Sequence, residues 1–558
     1  MSAGRGAMGV ALAVLLVGAI YVGLLSLLPR DSLWSGDQGA KLVQVVSLLR
    51  ARLTSLAIPD PSLAYEPDGL FSALPALYTW ARDGSRYSIF SYPHALATAP
   101  PFFLLGYDGL YVVPLLATLG TLTISAALAA RLELRSVWAV PLLLGLATPL
   151  GFYALVFWEH ALATLLVAGA LLAAIDASGQ TEGASGRRWP LVLAGLLAGM
   201  AWWFRAEALW AGPALLVGIA WASPGWRGGT AAGSMLRVSA GLAAALGPLV
   251  LFNLALYGTP LGAQVAANFG EPDLAPGITA SRLQVAGDLL VGPSQWWPVW
   301  LGAWLGAILA ATTAPALRPW AVAGLALCAA GGLLATQPYD LHWTGAANAA
   351  TLILLAPLGL RLYHARPAAR LLGGAALVYT VGVLLSAPNS GGAQWGPRYL
   401  LPVLPAAAVL ALAAARRLIA PAAPGRALAA GALLILIAAC IGTQARGVEL
   451  LERSLADNQR IVRVVNARPA GLIITDAPFG PQLLAPLFFE RPILYVQRPE
   501  FWPPLRELLG ARRVDAFTYL TNQPRAEAPA RLAPYAIGCE LVEGLAYGLS
   551  AFDCRIEP

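Results

Sequence analysis

The sequence predicts an α-helical polytopic membrane protein with a small α/β domain at its C-terminal end. The mean hydropathy is +0.66, and 58% of the 558 residues are hydrophobic while 12% are charged. Runs of roughly twenty apolar residues, long enough to cross a bilayer as a helix, recur along the chain. The last part of the sequence instead alternates short buried-strand patterns with loop residues.

Charge and motifs argue against several function classes. The net charge of +7 is expected to reflect orientation in the bilayer rather than nucleic-acid binding. The chain has no Walker loop, no GxGxxG turn between a strand and a helix, and no CxxC pair. Nothing in it therefore indicates an ATP-driven pump or a redox enzyme.

The first apolar run, residues 6–28, predicts an uncleaved helix, because it is too long for a signal-peptide core and lacks a clear cleavage site. Reading the later apolar runs in the same way predicts about thirteen spans in all. Their centres lie near Leu16, Leu119, Gly145, Val167, Leu196, Leu215, Ala245, Gly306, Ala326, Ile353, Tyr379, Val409 and Ile435.

The distribution of arginine predicts the orientation. With the N-terminus in the cytoplasm, every short inner loop contains arginine, whereas the short outer turns contain few. That alternation is the positive-inside rule. It places outside the cytoplasm a first loop (29–100), a second loop (257–296) and a C-terminal domain (446–558), while residues 1–445 form the membrane module. The excess of arginine over lysine suggests a GC-rich genome, and we expect the chain in a bacterial plasma membrane.

The outer segments carry their own patterns. In the first loop, 41–56 and the region around 70–80 predict amphipathic helices on the membrane surface. The C-terminal domain predicts a helix over 449–465, strands at 471–475, 493–496 and 514–519, and a strand pair in about the last 25 residues. Cys539 and Cys554 lie there and form either a disulfide or two separate thiols, while Cys328 and Cys440 lie in spans as apolar residues.

Ionisable and aromatic residues gather at the predicted outer ends of the spans. Any one of them is explained by an ordinary membrane interface. The turns at Glu159-His160 and Arg205-Ala206-Glu207 are so short, however, that their charges must lie near the hydrocarbon, where charges are costly unless paired or facing water. We therefore predict a shared polar cavity that opens outward. The residues are Asp37, Lys41, His94, Glu159, His160, Arg205, Glu207, Asp340, His342, Arg398 and Tyr399.

Glycosyl transfer suits these residue types. A carboxylate can deprotonate an acceptor hydroxyl, arginines can hold a phosphate, and aromatic rings can stack on a sugar. If the donor is a lipid-linked sugar phosphate, the leaving group is already a stabilised anion, so the second carboxyl group that glycoside hydrolysis needs is not required. Because nucleotide sugars are scarce outside the cell, a donor carried in the bilayer is favoured.

Several short motifs, in this order and on one predicted side, resemble the GT-C superfamily of polyprenyl-phosphate-sugar-dependent glycosyltransferases. That group contains protein O-mannosyltransferases and the lipid A aminoarabinose transferase. The resemblance covers roughly residues 8–445 and implies a donor that is a sugar linked to polyprenyl phosphate. The motifs are Gly36-Asp37-Gln38-Gly39, Glu159-His160, Arg205-Ala206-Glu207, Tyr257-Gly258-Thr259-Pro260-Leu261 and Gly396-Pro397-Arg398-Tyr399-Leu400-Leu401-Pro402.

The resemblance implies that Asp37 is the general base. The alternatives are a helix N-cap or a surface charge before Lys41, the chain's only lysine. Many members of the superfamily have a second acid beside this aspartate, where this chain has Gln38. The departure favours a single base over a pair of acids that binds a metal.

The other candidates each have an alternative. Arg398 is the candidate for the donor phosphate, with a snorkelling interface arginine as the alternative. Arg205 competes for the same role, with an ion pair to Glu207 as its alternative. Glu159 and His160 would orient the sugar or bind a divalent cation, Mg²⁺ or Mn²⁺, with Glu159 as the metal ligand; a capped helix end is the alternative. The remaining candidates for substrate contact are Lys41, Tyr399, Glu207, His94 and His342.

The sequence thus predicts sugar transfer to a lipid, glycan or protein acceptor at the outer face of the bilayer. One rival is a transporter or flippase for lipid-linked saccharides. Such proteins often show internal repeats and midplane charges, whereas here no repeat is visible and the charges cluster at one rim. A second rival is an O-antigen ligase or polymerase, enzymes that usually lack an acidic motif directly after the first span.

Overall fold

A computed structural model describes residues 3–75, 78–178, 189–223, 229–269, 282–292, 297–335, 342–343, 345–392 and 394–557. Most of these residues are helical. Short 3₁₀ turns link several of the helices, among them Ala206–Trp210 and Arg398–Val403. The helices are α1 (Ala3–Leu27), α2 (Gly36–Arg50), α3 (Tyr92–Leu105), α4 (Val112–Arg131), α5 (Ala139–Leu146), α6 (Leu150–Ala154), α7 (His160–Ser178), α8 (Trp189–Phe204), α9 (Ala211–Ala222), α10 (Gly229–Tyr257), α11 (Ala263–Phe269), α12 (Arg282–Leu290), α13 (Trp297–Thr313), α14 (Arg318–Ala335), α15 (Ala346–Ala349), α16 (Ala356–Tyr363), α17 (Pro367–Ser386), α18 (Leu404–Leu418), α19 (Arg426–Asn466), α20 (Gly480–Leu483), α21 (Trp502–Ala511) and α22 (Glu527–Leu532).

The strands fall into three small groups. Two pairs are short, and the third group is a five-stranded sheet near the C-terminal end of the chain. The strands are β1 (Thr79–Arg82), β2 (Ser85–Ser88), β3 (His342–Trp343), β4 (Gln394–Trp395), β5 (Ile473–Thr475), β6 (Ile493–Tyr495), β7 (Ala516–Thr521), β8 (Ile537–Gly544) and β9 (Ser550–Ile556).

The apolar helices agree closely with the hydropathy pattern. Within the described ranges, eight helices are long and apolar enough to cross a membrane, and four further apolar helices are shorter. Twelve of the thirteen predicted span centres lie on these twelve helices. The long ones are Gly6–Leu27, Tyr92–Arg131, His160–Ala177, Ala231–Tyr257, Pro315–Leu334, Pro367–Ser386, Arg398–Leu418 and Arg426–Asn466, and the shorter ones are Trp189–Phe204, Ala206–Ala222, Leu301–Thr313 and Thr351–Tyr363.

The span predicted near Gly145 is not one continuous helix, because the chain there forms two short helices, α5 and α6. Helix α5 ends at Leu146, and the Thr148 hydroxyl donates to the Leu144 carbonyl at 2.6 Å. Pro149 follows, and a residue before proline is disfavoured in the helical region. The break therefore follows from the Thr148-Pro149 step.

The chain divides into two compact units, and the division differs from the predicted one. The first unit is made of 1–27 and 111–450, and the second of 28–110 and 451–558. The predicted boundary at 445/446 lies inside the single helix α19. The first predicted loop belongs with the C-terminal segment rather than with the membrane module.

In the first unit, the largest core is built from small and branched apolar side chains of α4, α7, α8, α9, α17 and α18. Many of its fully buried residues are alanines, including Ala129, Ala174 and Ala194. Small side chains let helix backbones approach closely, which is the main source of helix association in lipid.

In the second unit, the five strands are arranged in the order β6-β5-β7-β9-β8. Strands β5, β6 and β7 are parallel, while β9 runs antiparallel to both β7 and β8. The strand predictions for the C-terminal domain are therefore confirmed. Cys539 and Cys554 face each other across β8 and β9 and form a disulfide, which decides between the two alternatives.

Residues of the first predicted loop complete this unit. Phe71 is part of the core beneath the sheet, together with Trp502, and its carbonyl accepts the Tyr495 N–H at 2.9 Å. The Asn458 side chain of α19 donates to the Leu33 carbonyl at 2.6 Å. Neither chain segment alone supplies this core.

Two predicted surface helices of the first loop are revised. The helix predicted over 41–56 is α2, which begins five residues earlier and ends at Arg50. Its residues from Gln38 to Leu48 are buried, apart from one half-buried position. The helix therefore packs inside the second unit rather than on a surface. The helix predicted around 70–80 is wrong for the described residues there. The Asp83-Gly84 turn, with φ values of 50° and 73°, instead joins β1 and β2 as a hairpin, for which Asp-Gly is a preferred turn.

Candidate active site

The first group of candidate residues lies in the second unit, at the start of α2. Ser35 is the N-cap residue in extended conformation, and Asp37 follows in the first helical turn. Asp37 is therefore not the N-cap residue, and it is half-buried. A carboxylate in this position is stabilised by the backbone N–H groups and the positive end of the helix dipole.

Lys41 lies one turn further along α2, on the same helical face as Asp37. Its side chain is buried, with 2% relative exposure, and its Nζ is 4.8 Å from the centre of the Phe90 ring. A buried ammonium group is costly unless it is paired or contacts polarisable groups. The amine one turn from Asp37 is therefore largely shielded from water.

Close packing requires glycine at both glycine positions of the Gly36-Asp37-Gln38-Gly39 motif. A Cβ on Gly39 would lie 2.0 Å from the carbonyl oxygen of Gln482 in α20, and one on Gly36 would lie 2.9 Å from the Tyr78 hydroxyl. Only glycine allows α2 to approach α20 so closely. The motif therefore fixes the position of the Asp37 backbone against the sheet domain of the same unit.

Gln38 stands where many superfamily members have a second acid, and its contact is structural. Its Oε1 accepts the backbone N–H of Trp34 at 2.7 Å, and the residue is buried. This bond satisfies an N–H group just before the helix, as capping side chains do.

His94 belongs to the same unit and lies in the first turn of α3, which packs against α2. Ser91 caps this helix by accepting the His94 N–H at 3.3 Å, and the His94 side chain is buried. The Gln44 side chain of α2 donates to the Phe90 carbonyl at 3.4 Å, just before α3. His94 is thus held in the second unit, like Asp37 and Lys41.

The second group lies in the first unit and centres on Arg205. Its Nη1 is 2.9 Å from Glu159 Oε1, and its Nε is 2.9 Å from Glu207 Oε1. His160 Nε2 lies 3.9 Å from the same Glu207 oxygen. Glu159 precedes α7, and Arg205 and Glu207 follow α8, so two helix ends supply the cluster.

This pairing changes the assignment of two predicted roles. Arg205 makes charge-assisted contacts with two carboxylates, so its guanidinium is already neutralised within the protein. The predicted alternative, an ion pair with Glu207, is present and includes Glu159 as well. Among the described residues, no group of three or more His, Cys, Asp or Glu side chains is arranged to hold a metal. Glu159 contacts Arg205 instead.

Arg398 has different surroundings, also in the first unit. Its guanidinium carbon is 5.2 Å from the Trp158 ring centre and 5.1 Å from that of Tyr399. Its Nη2 donates to the Tyr399 hydroxyl at 3.3 Å, which in turn donates to Asn389 Oδ1 at 3.1 Å. Stacking on aromatic rings holds a guanidinium in place without neutralising its charge.

The glycine of the Gly396-Pro397-Arg398-Tyr399 motif is required by the backbone. Gly396 has φ of +68°, and a Cβ there would lie 2.4 Å from Pro149. The turn brings β4 into the 3₁₀ segment that starts at Arg398. The motif thus places Arg398 and Tyr399 at the entrance to α18.

Two predicted candidates are only partly described. The backbone of His342 forms β3, which pairs in parallel with β4, but its side chain lies outside the described residues, as does Asp340 entirely.

The sequence analysis did not identify two residues of the first unit that contact the candidate residues or their neighbours. Tyr153 stacks on Trp158 at 5.7 Å between ring centres, and Asn389 accepts from Tyr399. Only an aromatic run and an outer turn marked them in the sequence.

Comparisons with known proteins agree on the fold. No protein-family model and no curated protein matches the chain. The solved structure of ArnT from Cupriavidus metallidurans in the apo state has a TM-score of 0.56 at 13% identity, covering 99% of this chain and 98% of that one. The same protein bound to undecaprenyl phosphate has a TM-score of 0.53 at 14% identity, with the same coverage.

A second protein gives a similar result. The archaeal oligosaccharyltransferase AglB from Archaeoglobus fulgidus, in complex with an inhibitory peptide and a dolichol-phosphate, has a TM-score of 0.52 at 13% identity, covering 95% of this chain and 72% of that one. At such identities the similarity concerns the fold: the chain shares the fold of ArnT and AglB, as the resemblance of its motifs predicts.

Proposed function

We propose that the chain is an integral membrane glycosyltransferase that moves a sugar from a polyprenyl-phosphate-linked donor to an acceptor hydroxyl. The observation that carries the proposal is Asp37 in the first turn of the buried helix α2, beside buried Lys41. The chain shares its fold with ArnT, whose structure was solved with undecaprenyl phosphate bound. An ionised carboxylate within reach of the acceptor hydroxyl can accept its proton.

In the proposed reaction, Asp37 takes the proton of the acceptor hydroxyl while the acceptor oxygen bonds to the anomeric carbon of the sugar. The bond between that carbon and the phosphate oxygen breaks, and polyprenyl phosphate leaves with the electron pair. Because this leaving group is a stable anion, it needs no general acid. The positive charge of Arg398 would stabilise the charge that develops on the phosphate.

Arg205 is a weaker candidate for the phosphate, because Glu159 and Glu207 already pair with it. We assign it a positioning role in which the ion pair fixes the starts of α7 and α9. His160, Tyr399 and the remaining candidates keep the predicted role of substrate contact.

We further propose that the reaction takes place at the outer face of a bacterial plasma membrane. The alternation of arginine between predicted loops supports this orientation. The disulfide between Cys539 and Cys554 is expected in an oxidising compartment. Asp37 belongs to the same compact unit as that disulfide, which supports the same side for both. The acceptor would be a lipid, a glycan or a protein.

The first test is Asp37→Asn, assayed with the purified protein and a radiolabelled polyprenyl-phosphate sugar. Removing a general base costs about 10²–10⁴-fold in rate, so we expect transfer to fall by at least about 100-fold while donor binding is retained. The matched control is Asp31→Asn, an exposed aspartate six residues earlier, which should keep wild-type transfer. Full activity of Asp37→Asn would remove the base assignment.

The second test concerns Arg398. Arg398→Ala should raise the KM for the donor by about 10–100-fold, because a charge-assisted contact to phosphate contributes about 1.5–3 kcal/mol. Arg361→Ala, an exposed arginine of α16, is the control. An unchanged dependence on donor concentration would contradict phosphate binding. Uptake of a lipid-linked saccharide by vesicles containing the protein, without any glycosyl product, would favour the rival transporter.

A further inference from the structure

The sheet of the second unit has an edge suited to ligand binding. Strand β5 lies between β6 and β7, and all three are parallel, so their carboxyl ends meet at one edge. After β5 the chain continues to β6, on one side of β5 in the strand order. After β7 it continues to β8, which lies in the opposite direction along the sheet. Loops that diverge in this way leave a crevice between the two strand ends, where open α/β sheets bind ligands.

Asp476 is the first residue after β5 and lies at this crevice. Its Oδ2 accepts the Tyr519 hydroxyl at 2.8 Å, and Arg531 Nη1, from the far side of the crevice, lies 3.6 Å away. The side chain is only 7% exposed, and the Thr521 side chain at the end of β7 also interacts with this carboxylate. A carboxylate and a guanidinium are thus held together at the carboxyl ends of β5 and β7.

Phe479 follows three residues later in the same loop. Its side chain is 54% exposed, and its backbone is left-handed with φ of 61°, a conformation that glycine would adopt at less cost. The ring lies beside Gly36, where a Cβ would be 3.4 Å from its Cδ1. An exposed aromatic ring is thus held directly next to the motif that contains Asp37.

Tyr78 lies beside the same motif, because its hydroxyl oxygen is 2.9 Å from the position of a Cβ on Gly36. Burial, and then the charge of Asp37, raise the pKa of Tyr78 well above its ordinary value.

We propose that Asp476, Arg531 and the ring of Phe479 form the acceptor subsite, and that the acceptor is a saccharide. The carboxylate and guanidinium would bind vicinal hydroxyl groups, and the ring would pack on the apolar C–H face of the sugar. A carboxylate at the centre of the crevice disfavours an anionic ligand such as a phosphate group. This inference rests on the proposed function, because it gives the acceptor a place beside the base.

The test measures binding of methyl pyranosides of glucose, galactose, mannose and arabinose to the full-length protein in nanodiscs by saturation-transfer NMR. Phe479→Gly removes the ring and suits the left-handed backbone, so this variant should fold at least as well as the wild type. We expect Phe479→Gly and Asp476→Asn to weaken binding of at least one glycoside by about tenfold or more. Tyr547→Ala, an exposed aromatic residue between β8 and β9, should bind as the wild type does.

The outcomes separate this inference from the proposed function. Asp37→Asn should retain glycoside binding even though it loses transfer, so failure of the base assignment leaves the binding result intact. The proposal is overturned if no glycoside of the panel binds, or if Phe479→Gly binds as tightly as the wild type. It is equally overturned if a serine-containing peptide, and no glycoside, gives the signal that depends on Phe479.

Discussion

Replacing Gly39 with alanine tests the packing that holds Asp37. A Cβ at this position would lie 2.0 Å from the Gln482 carbonyl oxygen and 2.8 Å from its carbon. An ordinary contact needs about 3.5 Å, so α2 and α20 would have to separate by about 1.5 Å. The obstacle is backbone on both sides, which cannot rotate away as a long side chain can.

The energetic terms oppose each other. Alanine stabilises a helix by about 1 kcal/mol relative to glycine, whereas overpacking costs about 1–3 kcal/mol, so we expect a net loss of up to about 2 kcal/mol. The effect on catalysis should be larger, because a displacement of about 1 Å in a reacting group costs about 100-fold in rate. Asp37 lies two residues from the substituted position.

The assay is sugar transfer from a polyprenyl-phosphate donor, combined with thermal unfolding followed by tryptophan fluorescence. The matched control is Gly510→Ala, in α21 of the same unit, where the nearest atom is the flexible end of Arg506 at 3.3 Å. The control should be as stable as the wild type or more so, with full activity. A Gly39→Ala protein with wild-type kcat and Tm would refute the reasoning.

Three further predictions concern the rest of the molecule. Changing Cys539 and Cys554 to serine should destabilise the second unit by about 3 kcal/mol, because the disulfide closes a loop of 15 residues; a reducing agent should lower the Tm of the wild type but not of the double variant. Burial raises the pKa of Asp476, so this group stabilises the folded state at low pH and loses that contribution as the pH rises through its folded pKa. The Tm of the wild type relative to Asp476→Asn should therefore fall as the pH rises above about 4, the ordinary pKa of an aspartate, and a constant difference would contradict the burial argument. Arg205→Met should cost about 3–5 kcal/mol because it removes the cation that two buried carboxylates share, and adding Glu159→Gln should recover part of this loss; a cost within about 0.5 kcal/mol would exclude the ion pair as a structural element.

Hydropathy alone located the membrane helices well. Twelve predicted centres lie on apolar helices, because a chain in lipid must satisfy its backbone hydrogen bonds locally and the helix is the local solution. The break near Gly145 was missed because a count of apolar residues ignores the Thr148-Pro149 step. The strands β5, β6 and β7 were predicted for a similar reason, since short buried runs of branched residues are a local pattern.

For the candidate site too, some features could be predicted from the sequence and others could not. The motif Gly36-Asp37-Gln38-Gly39 could be found in the sequence, because an acid directly after the first apolar run suggests chemistry. Its packing partner, Gln482, could not, because nothing near residue 37 indicates which of the remaining residues would cover it. The same holds for Arg205, whose contact with Glu159 spans 46 residues.

The sequence by itself determined the fold class, most helices, the strands near the C-terminal end and the residue types that a glycosyl-transfer site needs. These properties follow from local periodicity and composition. Only the tertiary structure decided that the first loop folds with the C-terminal segment, that Cys539 and Cys554 are bonded, and that Arg205 is neutralised while Arg398 stacks on Trp158 and Tyr399. Each of these depends on contacts between residues far apart in the chain. The free energy of such contacts depends on distance, burial and partner geometry, which leave no period in the sequence.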